Sequence, residues 1–191
     1  MVSGQFFGTL GITRKDTMNP ITTIDQLRKE LENGPDQEGY MGVLKRVQLD
    51  LEKEVLPLCT WSDDHYTRIP LFRNSDCELL LMCWEPHQTS PIHTYDYQEG
   101  WMYILQGELC IEQYFTSMLE KQLKLIESTR LPEKSIPYLN DYIGFHRGFN
   151  CVDRRTISLH IYSLPIETWQ VYDQESKRVH SMSVWSDPIQ E

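Results

Sequence analysis

From Trp61 onward the chain reads as short apolar or alternating runs broken every few positions by turn residues, and this pattern restricts the fold more than any other feature. Strands are predicted near 66–72, 77–84, 91–97, 101–106, 109–115, 121–126, 135–139, 156–162, 169–173 and 179–185. Arg73-Asn74-Ser75-Asp76, Glu85-Pro86, Gln106-Gly107, Leu131-Pro132-Glu133 and Asn140-Asp141 supply turn signals between them. Many short strands after a helical beginning predict a mainly β sandwich or barrel carrying an N-terminal helical cap.

The cap is predicted over 21–58. Thr23 and Gln26 form a capping box, in which each side chain satisfies a free N–H at the helix start. Ile24, Leu27 and Leu31 then share one helical face, and Asn33-Gly34-Pro35 stops the helix. A second helix is predicted over 40–55 from the recurrence of Leu44, Val47, Leu51 and Val55, with Pro57 ending it. Residues 1–20 read as a loose lead-in and 62–191 as the barrel, so one domain is expected over 1–191.

Composition narrows the partners. A formal net charge of −10 with no Lys/Arg cluster disfavours nucleic acid. No run approaches the ~18 apolar residues of a membrane span, and no signal peptide is evident, so no membrane partner is expected. The five cysteines, Cys59, Cys77, Cys83, Cys110 and Cys151, are odd in number and lack a C-x-x-C pair. That argues against a disulfide framework and for a reducing cytoplasmic location. A monomer is expected.

Three segments carry polar groups that a plain core would not select. In Pro91–Gly107, His93 and Tyr95 stand two apart, so on a strand both side chains face the same way. Glu99 follows, then the apolar run 101–105 and a turn at Gln106-Gly107. His146 lies in the segment 141–147. In 156–162, Ile157, Leu159 and Ile161 alternate with Ser158, His160 and Tyr162. The plain reading of that alternation is a solvent face; in a small barrel the apolar side is instead covered from outside and the polar side lines a cavity.

Together these segments resemble the cysteine dioxygenase family of thiol dioxygenases, members of the cupin superfamily. The matching blocks are Tyr66-Thr67-Arg68, Cys83-Trp84, Ser90-Pro91-Ile92-His93, Leu105-Gln106-Gly107, Tyr138-Leu139-Asn140-Asp141, Gly144-Phe145-His146-Arg147, Ser158 to Ser163 and Tyr172-Asp173-Gln174. The resemblance implies a cupin barrel, that is, a double-stranded β-helix or jelly roll. It implies an Fe(2+) cofactor and the conversion of L-cysteine and O2 to cysteine sulfinic acid. His93, Tyr95 and His146 fall at the three metal-ligand positions. Arg68 falls where the family binds the substrate carboxylate, with Tyr66 shaping that site. Ser158, His160 and Tyr162 match the family's catalytic Ser-His-Tyr relay. His65, His87 and His180 receive no role, and Glu99 is not expected to ligate.

The chain departs from the family at two positions. Gly100 stands where some members have a cysteine crosslinked to the catalytic tyrosine, so that crosslink cannot form. Tyr95 stands where the family has a histidine, and a phenol with a reference pKa of about 10 must ionise to ligate well. Two other readings therefore stay open: a metal-poor cupin that binds a small amino acid or thiol without turnover, and a cupin performing other metal chemistry.

Overall fold

The computed structural model describes residues 19–35, 37–95, 97–116, 123–140, 142 and 144–188. Most of the predicted lead-in, along with Asp141 and Ile143 of the His146 segment, lies outside them. Helix α1 (Ile24–Glu32) begins with the predicted capping box on Thr23 and Gln26 and ends at Asn33. Its buried residues are Ile24, Leu27 and Leu31, the predicted face.

The second predicted helix does not form as one piece. Helix α2 covers only Gly39–Lys45, followed by a π turn at Leu51–Val55 and a 3-10 turn at Leu56–Leu58. Between these pieces the chain runs extended, and Val47 bridges Ile21. Gln48 N–H donates to the Ile21 carbonyl at 2.8 Å and Ile21 N–H to the Arg46 carbonyl at 2.9 Å. Leu44, Val47 and Val55 are all buried. The helical spacing thus reports a shared buried side that separate pieces supply, because pairing with Ile21 satisfies the backbone as well as a helix would.

Among the described residues eleven strands follow: β1 Thr67–Arg73, β2 Glu78–Trp84, β3 Ile92–His93, β4 Glu99–Gln106, β5 Glu108–Thr116, β6 Leu123–Pro132, β7 Tyr138–Asn140, β8 Phe145–Asn150, β9 Thr156–Tyr162, β10 Thr168–Asp173 and β11 Arg178–Ser183. They form a five-stranded sheet ordered β1-β2-β9-β4-β7 and a six-stranded sheet ordered β11-β10-β3-β8-β5-β6. The pairings within both are antiparallel. This is the predicted mainly β, cupin-like double-stranded architecture with N-terminal helices. Among the described residues, no helix is long and apolar enough to cross a membrane.

β8 is absent from the predicted strands although His146 sits on it. Its residues alternate, but the inward ones are His146, Gly148 and Asn150. Outward, Arg147 pairs with Glu112 of β5. The polar set faces in, so the hydrophobic signal that marks a strand is inverted. β3 is likewise shorter than the predicted 91–97, because the chain leaves the sheet after His93 and Tyr97 adopts φ 66°.

The core has two layers. Leu79, Leu81, Cys83, Ile157, Leu159 and Ile161 pack outward against the helices. Leu80, Met82, Trp84, Met102, Ile104 and Tyr162 pack inward between the sheets. Every residue of β9 is buried. The alternation of that strand therefore faces helices on one side and a cavity on the other, as the barrel reading predicts. At the β4–β5 turn Gly107 has φ 79°, and a Cβ there would meet Thr156 Oγ1 at 2.3 Å, so only glycine fits.

Candidate metal and substrate site

The two sheets enclose a cavity lined by side chains from both. Arg68 comes from β1, Met102 from β4, and His160 and Tyr162 from β9. The facing sheet supplies His93 from β3, His146 from β8 and Trp169 from β10. Tyr66 and Tyr95 complete the lining from positions just outside strands.

Register brings the two histidines together. His93 pairs directly with His146 across β3 and β8, so both side chains leave the same face. Their ring centroids are 4.4 Å apart. His93 Nδ1 lies 2.9 Å from the Pro91 carbonyl. A carbonyl only accepts, so Nδ1 carries the proton and Nε2 keeps its lone pair. His146 Nε2 is buried without a hydrogen-bond partner. Burial lowers the His93 pKa to about 4, and both burial and His93 hold His146 well below the usual range. Both imidazoles are therefore neutral at pH 7, the form that binds metals.

Tyr95 packs its ring 4.3 Å from His146 and 5.6 Å from His93, and is 3% exposed. Its ring lies 5.2 Å from the Tyr162 ring, centroid to centroid. Room for this ring comes from β4, where Gly100 has no Cβ. The predicted direction of Tyr95, into the space shared with His93, is therefore reached without a continuous strand.

Arg68 is buried, with its guanidinium carbon 5.6 Å from the Trp169 ring and 5.9 Å from the Trp185 ring. The Tyr66 and Tyr162 phenols line the same cavity and feel its positive charge. Burial raises the pKa of both phenols, the positive charge of Arg68 opposing this, so they remain protonated donors. Tyr66 is further stacked on Trp84 at 4.2 Å.

Ser158 Oγ lies 2.8 Å from His160 Nε2 and accepts a 3.1 Å hydrogen bond from Trp84 Nε1. His160 Nδ1 is buried without a partner. Burial, with Arg68 and His93 adding to it, lowers the His160 pKa to about 3. The Tyr162 ring centroid is 6.2 Å from that of His160 and 5.2 Å from that of Tyr95. The predicted series is thus joined by a hydrogen bond between serine and histidine, with the tyrosine ring beside Tyr95.

Glu99 is exposed and accepts a hydrogen bond from Tyr138. His87 pairs with Asp153 at the surface. Trp169 and Trp185 received no sequence-based assignment. For Trp169 the period-2 burial of Trp169 and Val171 on β10 was the available signal.

Residues 52–175 match the family described as "Cysteine dioxygenase type I". The chain belongs to that family. Among curated relatives, Cysteine dioxygenase type 1 of Rattus norvegicus is 32% identical over 106 residues, covering 54% of this chain and 52% of that protein. Cysteine dioxygenase type 1 of Danio rerio is 28% identical over 118 residues, covering 59% of each. The chain thus spans between half and three fifths of the length of these relatives. Among solved structures, an uncharacterized conserved protein with a double-stranded β-helix domain from Klebsiella pneumoniae matches with TM-score 0.50 and 14% identity, over 61% of this chain and 92% of that one. That likeness shows the fold alone.

The donors fit a metal. A neutral His93 with Nε2 free and a buried, unpartnered His146 Nε2 face one cavity, with the Tyr95 phenol beside them. Among the described residues no group of three or more His, Cys, Asp and Glu side chains is placed to hold a metal. The further oxygen-bearing side chain beside the two histidines is Tyr95.

Proposed function

We propose that the chain is an iron-dependent thiol dioxygenase that converts L-cysteine to cysteine sulfinic acid in the cytoplasm. The observation that carries this reading is the position of Arg68. Its buried guanidinium shares one cavity with two neutral imidazoles, so a carboxylate and a metal-seeking thiol of one small molecule can be held together.

His93, His146 and Tyr95 would hold the metal. Ferrous iron, when bound, supplies the one-electron chemistry that lets dioxygen react with a thiolate. In the balanced reaction one thiol and one O2 give one sulfinic acid, with both oxygen atoms on sulfur. The Arg68 fork pairs with the substrate carboxylate, and the protonated Tyr66 and Tyr162 phenols in the same cavity are further donors to it. Trp84, Tyr66 and Trp169 keep bulk water from that pair. The Ser158–His160 pair holds a neutral imidazole at the cavity wall, with Nδ1 available for a substrate proton.

The test is to incubate the protein with ferrous iron and L-cysteine and to follow sulfinate formation and oxygen uptake together. Equal amounts of both support the reading. A second reading is favoured by the donor set itself: among the described residues the site has two histidines and a buried phenol, with no group of three His, Cys, Asp or Glu side chains. On it the chain binds a small amino acid or thiol without turnover. No iron and no sulfinate, with L-cysteine still raising the melting temperature, would select it.

A further inference from the structure

We infer that the C-terminal segment Val184–Asp187 is a clamp that presents the Arg68 guanidinium to a substrate carboxylate, with Trp185 and Asp187 as its positioning residues. This deepens the proposed function and rests on its reading of Arg68 as the carboxylate receptor.

The segment grips Arg68 at three polar points. Arg68 Nε donates to the Trp185 carbonyl at 3.1 Å. Arg68 N–H donates to Asp187 Oδ2 at 2.8 Å, and Asp187 N–H donates to the Arg68 carbonyl at 2.8 Å. Val184 N–H, bonded to the Glu167 carbonyl at 2.9 Å, ties the segment to the residue that precedes β10. The Trp185 indole then lies 5.9 Å from the guanidinium carbon, 5.3 Å from the Tyr66 ring and 5.5 Å from the Trp169 ring.

Two features make this more than packing. Holding Nε to a carbonyl orients the planar fork while leaving the terminal amino groups as donors. The Asp187 carboxylate is turned to the Arg68 backbone and to His65, at 3.2 Å, rather than to the guanidinium. An acidic residue thus fixes the arginine without its carboxylate occupying the fork. An arginine ordered before substrate arrives loses little further side-chain freedom on pairing. The clamp residues lie beyond the stretch 52–175 that matches the family.

The test is anaerobic titration of the ferrous-iron-loaded full chain with L-cysteine and with cysteamine, which keeps thiol and amine but lacks the carboxylate. Binding is read by tryptophan fluorescence and calorimetry, so turnover plays no part. Asp187→Ala is expected to weaken L-cysteine about tenfold while changing cysteamine less than about twofold. Asp187→Asn, which keeps an acceptor for the Arg68 N–H, should restore L-cysteine affinity to within about threefold of wild type. Unchanged L-cysteine affinity in Asp187→Ala, or equal losses for both ligands, would overturn the clamp while leaving the proposed function standing. If Asp187→Ala does not fold, Trp185→Leu keeps the backbone bonds and should show the same selectivity, at about threefold; equal effects on both ligands there overturn the clamp too. A wild type that binds neither ligand would overturn both the clamp and the reading of Arg68.

Discussion

Gly100 makes the space that Tyr95 fills: a Cβ at Gly100 would stand 3.0 Å from Tyr95 Cε2 and 3.2 Å from Tyr162 Cε1. Both rings are buried, so neither can swing into solvent without opening the cavity. Gly100→Ala is therefore expected to destabilise by roughly 1–3 kcal/mol through overpacking. In a Tyr95→Ala background, where the nearer ring is gone, the added cost of Gly100→Ala should shrink. Urea midpoints of the four proteins measure that coupling; equal costs in both backgrounds would show that the rings are not in contact across Gly100.

Arg68→Ala should raise the apparent L-cysteine requirement about 10–100-fold, the effect of losing charge-assisted bonds to a carboxylate. Arg68→Lys should recover little, because an ammonium cannot reproduce a fork held at Nε by Trp185. Steady-state kinetics on both variants check this. A fully active Arg68→Lys would contradict it.

The metal-free protein should lose stability as pH falls. Unfolded histidine takes up its proton near the ordinary value of 6.5, whereas burial delays this to about 4 for His93 and about 3 for His160. Between those limits the unfolded chain binds more protons, so stability increases with pH. The contribution is complete above pH 6.5 and is lost progressively as pH falls toward 4 and 3. Urea midpoints at pH 7.5 and pH 5 should therefore differ, the lower pH giving the lower midpoint, and His160→Gln should reduce the difference.

The sequence made the fold readable where burial and hydrophobicity coincide. On β9 the outward Ile157, Leu159 and Ile161 and inward Ser158, His160 and Tyr162 are legible as two faces, and both are buried. On β8 the same reading fails because its inward set is polar. The 40–55 pattern points to residues that are buried or packed against the core yet misses the break, since helical spacing does not reveal that Val47 bridges Ile21. His93, Tyr95, His146 and Arg68 are drawn to one cavity, a convergence that the family resemblance implied and strand pairing produces. Trp185 and Asp187 were not legible at all. Their contacts with Arg68 span more than a hundred residues and depend on how the tail returns after β11.

Tyr95→His should raise iron content and turnover together. It places a third imidazole beside His146, where a phenol would have to ionise to ligate well. Iron per chain by elemental analysis, measured before and after equilibration with ferrous iron, reads the first effect independently of activity. If iron content and turnover are both unchanged, Tyr95 does not face the metal.

The central claim is that both oxygen atoms of one dioxygen molecule end on the sulfur of a cysteine held by Arg68. It is tested most directly by supplying the iron-loaded wild-type protein with L-cysteine under 18O2 and weighing the product. The account predicts cysteine sulfinate carrying two 18O atoms. Sulfinate with one label or none, or L-cysteine recovered unchanged from a protein with bound iron, would contradict it.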